Sequence, residues 1–307
     1  MRYNWIIFII ILSSSCVMKK KENLIQTQEP IKTENSTFFV SIPILKFSSI
    51  QSPCLSVQIE GKIFSMELDL GLVGDVAIGS SLIDQISVKV PVGIKSIYGF
   101  RGKEYKTNLY RIPKIAIGGM SFIQPILQET SEEARSDSVV VENKAEPSVR
   151  ESGRIGWELF HNVNLLLDLN NSKLAFCDSF ETLQKNDYFG ENFIKTPLLI
   201  DRGIIEFQVE TTQGVLRCML DSGSTLNLLN IKSETEKSIE EVLWDNSNSL
   251  KYSSFKIEGS EFGPLEFHKI PIQIPIQIEA ILGMEFLKKN LIFLDFEGKW
   301  IYFLKNQ

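Results

Sequence analysis

The feature that most constrains this chain is an internal repeat. Ile155-Gly156-Trp157-Glu158-Leu159-Phe160, running through Leu167-Asp168 to Phe176, aligns without a gap with Leu282-Gly283-Met284-Glu285-Phe286-Leu287, running through Leu294-Asp295 to Phe303. The spacing is the same at both ends, 283 − 156 = 127 and 295 − 168 = 127. Upstream, Met66-Glu67-Leu68-Asp69-Leu70-Gly71-Leu72 matches Cys218-Met219-Leu220-Asp221-Ser222-Gly223-Ser224 at a spacing of 221 − 69 = 152. Such self-similarity means that one structural unit is used twice. The first copy is longer by 152 − 127 = 25 residues. Residues 129–152 are charged and polar with no apolar period, so they read as a surface loop inserted in the first half.

Within each copy the pattern is that of strands. Leu55, Val57 and Ile59 alternate before the first Asp-x-Gly, and Ile205, Phe207 and Val209 before the second. After the later glycine each copy predicts a short helix, an apolar strand, a polar turn (Asn170-Asn171 or Glu297-Gly298) and a closing strand. The middle of the first half predicts a hairpin, with Gly99 and Gly102 at the bend and residues 105–117 returning as strand. Long helical periods are rare, so the expected class is all-β. The expected divisions are a first lobe over 38–190 and a second over 191–307.

Composition removes several kinds of chemistry. A net charge of −6 argues against a nucleic-acid partner, whose binding rests on clustered Lys and Arg. Two histidines, His161 and His268, are too few for most zinc sites and disfavour a serine or cysteine triad. Both read as surface or partly buried residues. No metal site or cofactor is expected, and carboxylates are the groups left to carry chemistry. Cys54, Cys177 and Cys218 fit no metal spacing; free buried thiols are the default, with one unassigned disulfide open.

The N-terminus reads as an address. Residues 5–12 are apolar and too few to span a bilayer, which takes about 20 residues as a helix. Arg2, this run and Ser13-Ser14-Ser15 have the layout of a signal peptide over 1–15. Cys16 directly after small residues resembles the lipobox of bacterial lipoproteins, although Leu12 stands one place further back than usual. The resemblance implies a lipid anchor at Cys16, a flexible tether over 16–37 and a place in the bacterial cell envelope. Secretory cleavage after Ser15, with Cys16 left as a plain thiol, stays open.

The two repeated motifs together resemble the aspartic peptidases of the retropepsin-like family. Asp221-Ser222-Gly223-Ser224-Thr225 after an apolar strand is similar to the family's Asp-Thr/Ser-Gly motif. Ile281-Leu282-Gly283-Met284-Glu285-Phe286-Leu287, which begins 60 residues further on, is similar to its later Ile-Leu-Gly signature. Asp69-Leu70-Gly71 and Ile155-Gly156 repeat both more weakly, so the resemblance spans roughly residues 50–305. It implies two β-barrel lobes about a pseudo-twofold axis in a monomeric pseudo-dimer. Asp69 and Asp221 would share one proton, Gly71 and Gly223 would permit close approach, and Ser222 and Ser224 would support the site. Tyr98, Gly99 and Gly102 would belong to a flap over a polypeptide substrate. Asp168 and Asp295, though matched, read as structural or solvated.

The first motif departs from the pattern at Leu70 and Leu72, where the family carries small or hydroxylated residues. Two functions therefore stand side by side: a membrane-anchored aspartic endopeptidase, and a catalytically silent relative that binds peptides or serves as an envelope interaction module. Pairing of two second halves in a homodimer is a further variant. If the site is active, Ser224 is placed to donate to Asp221 whereas Leu72 cannot donate to Asp69. Asp221 is then expected as the ionised base and Asp69 as the protonated acid.

Overall fold

The computed structural model describes residues 38–47, 52–98, 103–131, 153–188, 192–231, 249–272 and 277–305. Of these, 57% lie in strands and 8% in helices, so the class is all-β. The signal peptide, Cys16, the tether and most of 129–152 lie outside the described residues, as do Gly99 and Gly102. Among the described residues no helix is long and apolar enough to cross a membrane.

The strands form three sheets. One has ten strands, all from residues 46–155, and a second has nine, all from 199–282. The two are built alike around one parallel pairing each. Gly153–Ile155 lies parallel to Lys62–Leu68, with Gly153 beside Met66 and Ile155 beside Leu68. Ala280–Leu282 lies parallel to Gly214–Leu220, with Ala280 beside Cys218 and Leu282 beside Leu220. The spacings 218 − 66 = 152 and 280 − 153 = 127 reproduce those read from the sequence.

The third sheet has six strands and draws on both halves. At its centre Asn164–Asp168 pairs antiparallel with Asn290–Asp295, and Leu166 stands opposite Phe293. Because 293 − 166 = 127, this pairing joins equivalent residues, as an isologous two-fold contact does. Its strands read as continuous apolar runs because both faces are covered. Leu165, Leu167, Ile292 and Leu294 enter the main core. Leu166 and Phe293 enter a separate cluster with Phe180, Leu183 and Tyr302.

Three details differ from the sequence reading. Glu129 and Thr130 belong to the strand Ile126–Thr130 rather than to the inserted loop. Glu129 is aligned with Ile78 and accepts hydrogen bonds from Asn108 and Tyr110, which outweighs its polar character. The returning strand expected over 105–117 is broken into Glu104–Arg111 and Lys114–Ile117, since Pro113 has no N–H to continue a ladder. A helix over Phe180–Lys185 was not expected. It is capped by Ser179, whose Oγ accepts from the Thr182 N–H at 3.2 Å, and anchored by Phe180 stacked on Tyr302.

Candidate active site

Asp69 and Asp221 end the strands Lys62–Leu68 and Gly214–Leu220, and the backbone around them is nearly duplicated. The Asp69 N–H donates to Ile155 O at 2.9 Å, and the Asp221 N–H to Leu282 O at 3.1 Å. Each aspartate then closes a tight turn. Its carbonyl accepts from Leu72 N (3.1 Å) or Ser224 N (3.2 Å). Its Oδ1 accepts from Gly71 N (3.1 Å) or Gly223 N (2.8 Å). Asp and Gly suit these turns because a carboxylate can bond its own backbone two residues on.

The turns meet face to face. A Cβ built on Gly71 would stand 2.6 Å from Asp221 Cγ, and one built on Gly223 would stand 2.7 Å from Asp69 Oδ1. Each glycine thus leaves the space that the opposite carboxyl occupies. Glycines 156 and 283 act one layer behind. A Cβ there would strike the carbonyl of Gly74 at 2.0 Å or of Leu226 at 2.3 Å, so these positions brace the turns from below.

The hydroxyl link between the turns runs one way. Ser222 Oγ donates to Leu68 O at 2.6 Å and accepts from the Leu70 N–H at 3.1 Å. Leu70 is fully buried and has no hydroxyl to return the bond. Ser52, which sequence reasoning did not single out, adds another tie by donating to Ser222 O at 2.8 Å.

The charged and hydrogen-bonding groups around the pair differ from those expected from sequence. Ser224 Oγ donates to Leu226 O at 2.8 Å rather than to Asp221. Arg154, also missed, reaches Asp69: its Nη1 lies 3.1 Å from Oδ2 and forms an ion pair with a carboxyl whose side chain is 7% exposed. Burial first, then the neighbouring Asp69, push the Asp221 carboxyl up to about 8, against the Gly223 N–H and the Arg154 charge. The cation thus faces Asp69, and burial weighs on Asp221. A sequence signal for Arg154 existed, since the repeat aligns it with Ile281 and so places a cation at an apolar strand position.

The other candidates take lesser parts. Tyr98, 48% exposed, ends the strand Val90–Tyr98 and stands opposite Glu104. Asp168 accepts from the Asn171 side chain at 3.0 Å and Asp295 from Gly298 N at 2.7 Å, so each holds a turn. The three described cysteines are free and buried, and burial pushes the Cys218 thiol up, away from the reactive thiolate. His161 is exposed and His268 half-buried. A cavity of about 390 Å³ lined by Asp75, Trp157, Glu158, His161, Ile200 and Gly203 includes neither Asp69 nor Asp221. Among the described residues no cluster of His, Cys, Asp or Glu is arranged to hold a metal ion. Compared with models of known protein families and with curated proteins, the chain matches none.

Proposed function

We propose that the protein is an aspartic endopeptidase made of two retropepsin-like lobes, held outside the cytoplasm by a lipid on Cys16. The observation that carries this reading is the reciprocal seating of Asp221 against Gly71 and Asp69 against Gly223. Two buried carboxyls so placed do not both ionise readily, and one proton shared between them supplies a base and an acid together. In the first step the carboxylate takes a proton from water as its oxygen bonds to the scissile carbonyl carbon, and the acid gives its proton to the carbonyl oxygen. In the second the carbon–nitrogen bond breaks. The leaving nitrogen takes the proton gained from water, and a hydroxyl of the intermediate returns one to the other carboxylate. No cofactor is needed for this balance.

A silent peptide-binding module remains the second reading, favoured by Leu70 and its unreturned hydroxyl link. The two separate on incubation of the full-length protein in detergent with a mixed peptide library from pH 3 to 8, with and without a statine-type inhibitor. Inhibitor-sensitive cleavage is expected. Peptide binding without cleavage at any pH would leave the silent module. Labelled fatty acid should enter the wild-type protein and not Cys16→Ala; no incorporation into the wild type would remove the anchor.

A further inference from the structure

The two aspartates have matching backbones and unlike neighbours. In the second half the residues behind Asp221 are Ile281 and its register partner Met219, 2% and 3% exposed. They pack in an apolar cluster with Ile204, Leu228 and Ile270. In the first half the equivalent positions, 281 − 127 = 154 and 219 − 152 = 67, hold Arg154 and Glu67. The Arg154 side chain keeps 26% of its surface open and turns its guanidinium to Asp69. Asp69 consequently has a donor on each oxygen, Gly71 N–H on Oδ1 and Arg154 Nη1 on Oδ2. Asp221 has the Gly223 N–H on Oδ1 and apolar side chains where Asp69 has the cation.

We propose that Arg154 is a positioning residue that gives the two carboxyls fixed, unequal tasks: Asp69 stays the carboxylate that activates water, and Asp221 carries the proton that goes to the substrate. This rests on the peptidase reading. A guanidinium does not deprotonate in a protein, so its charge persists across the working pH range. The charged groups acting on Asp221 are Asp69 and Arg154. Around Arg154 itself stand Glu67 on one flanking strand and, on the other, Ala77 followed by the uncharged Gln128. The cation therefore favours the singly ionised pair over the fully protonated one, and extends activity toward acid pH.

Three full-length variants test this in detergent: Arg154→Ile, which copies the second half, Arg154→Lys, which keeps the charge, and Arg154→Gln, in case Ile disturbs folding. In kcat/KM against pH, the acid limb of Arg154→Ile and Arg154→Gln should move up by about one pH unit, as loss of a neighbouring cation requires. Arg154→Lys should restore most of the wild-type limb. An unmoved limb in both uncharged variants, or an equal shift in Arg154→Lys, overturns the proposal. The same ionisations can be followed without turnover by carboxyl-carbon NMR of Asp-labelled protein, assigned with Asp69→Asn and Asp221→Asn. Asp69 should lose its proton first in the wild type, and that order should weaken or vanish in Arg154→Ile. If this order holds in a protein that cleaves nothing, the peptidase reading fails and only the effect of Arg154 on the ionisation order stands. If Asp221 ionises first, the role of Arg154 fails whatever the activity.

Discussion

Set side by side, the two halves of the site share a backbone and differ in charge. Both have an aspartate at a strand end, a glycine that makes room for the other carboxyl, and a second glycine bracing the turn from below. Behind Asp221 the first layer is apolar and the link residue is Ser222. Behind Asp69 the layer holds Glu67 and Arg154, and the link residue is Leu70. Close approach of the two turns leaves no freedom in volume, so the glycines recur. Charge and hydrogen bonding can be divided unequally, because the proposed mechanism needs only one good carboxylate and one good acid.

The largest effect tests whether both halves are needed. Asp69→Asn and Asp221→Asn should each lower kcat/KM by about 10²–10⁴-fold, the usual worth of an acid or base, with circular dichroism unchanged. A variant that keeps near-wild-type turnover would show that one half is dispensable. The shared backbone is next. Gly71→Ala and Gly223→Ala each put a methyl group inside the opposite carboxyl and should cost about 3 kcal/mol in denaturant unfolding, the upper part of the overpacking range. A cost confined to one of them would break the equivalence of the turns.

Smaller effects sharpen the unequal parts. Ser222→Ala strands the Leu68 carbonyl and the Leu70 N–H and should cost about 2 kcal/mol. A neutral outcome would mean that Ser52 and packing hold the turns unaided. The weakest signal is the pH dependence of stability. Burial and the neighbouring Asp69 push the folded Asp221 carboxyl up to about 8, above the ordinary aspartate value of the unfolded chain. The folded state thus binds the extra proton between these limits, and this contribution to stability is complete below them and is lost as pH rises through the folded value. Asp221→Asn should flatten that decline in the free energy of unfolding between pH 5 and 8. Parallel wild-type and variant curves would show that Asp221 is not the proton carrier.

Much of the architecture was legible because it rests on local signals. Period-two alternation at Leu55, Val57 and Ile59 became a buried strand, and the apolar run Leu165-Leu166-Leu167 became a strand covered on both faces. The 152 and 127 spacings reappear in the strand register. The helix over Phe180–Lys185 was not legible from its short apolar pattern, and its Phe180 stacks on Tyr302, more than a hundred residues away. Within the site, Asp69, Asp221, Gly71, Gly223 and Ser222 come together, while Ser224 turns to Leu226.

The sequence by itself determined the all-β class, the doubled unit and the two Asp-x-Gly turns, since alternation, glycine freedom and carboxylate–backbone turns act within a few residues. Only the tertiary structure decided which carboxyl faces a cation. Arg154 is 85 positions from Asp69 and meets it through the parallel pairing of two strands. A carboxyl's preference for its charged or neutral form is set by the donors and the solvent within a few ångströms of it. Those neighbours are supplied by strand pairing and packing, so the residues flanking an Asp-x-Gly cannot announce them.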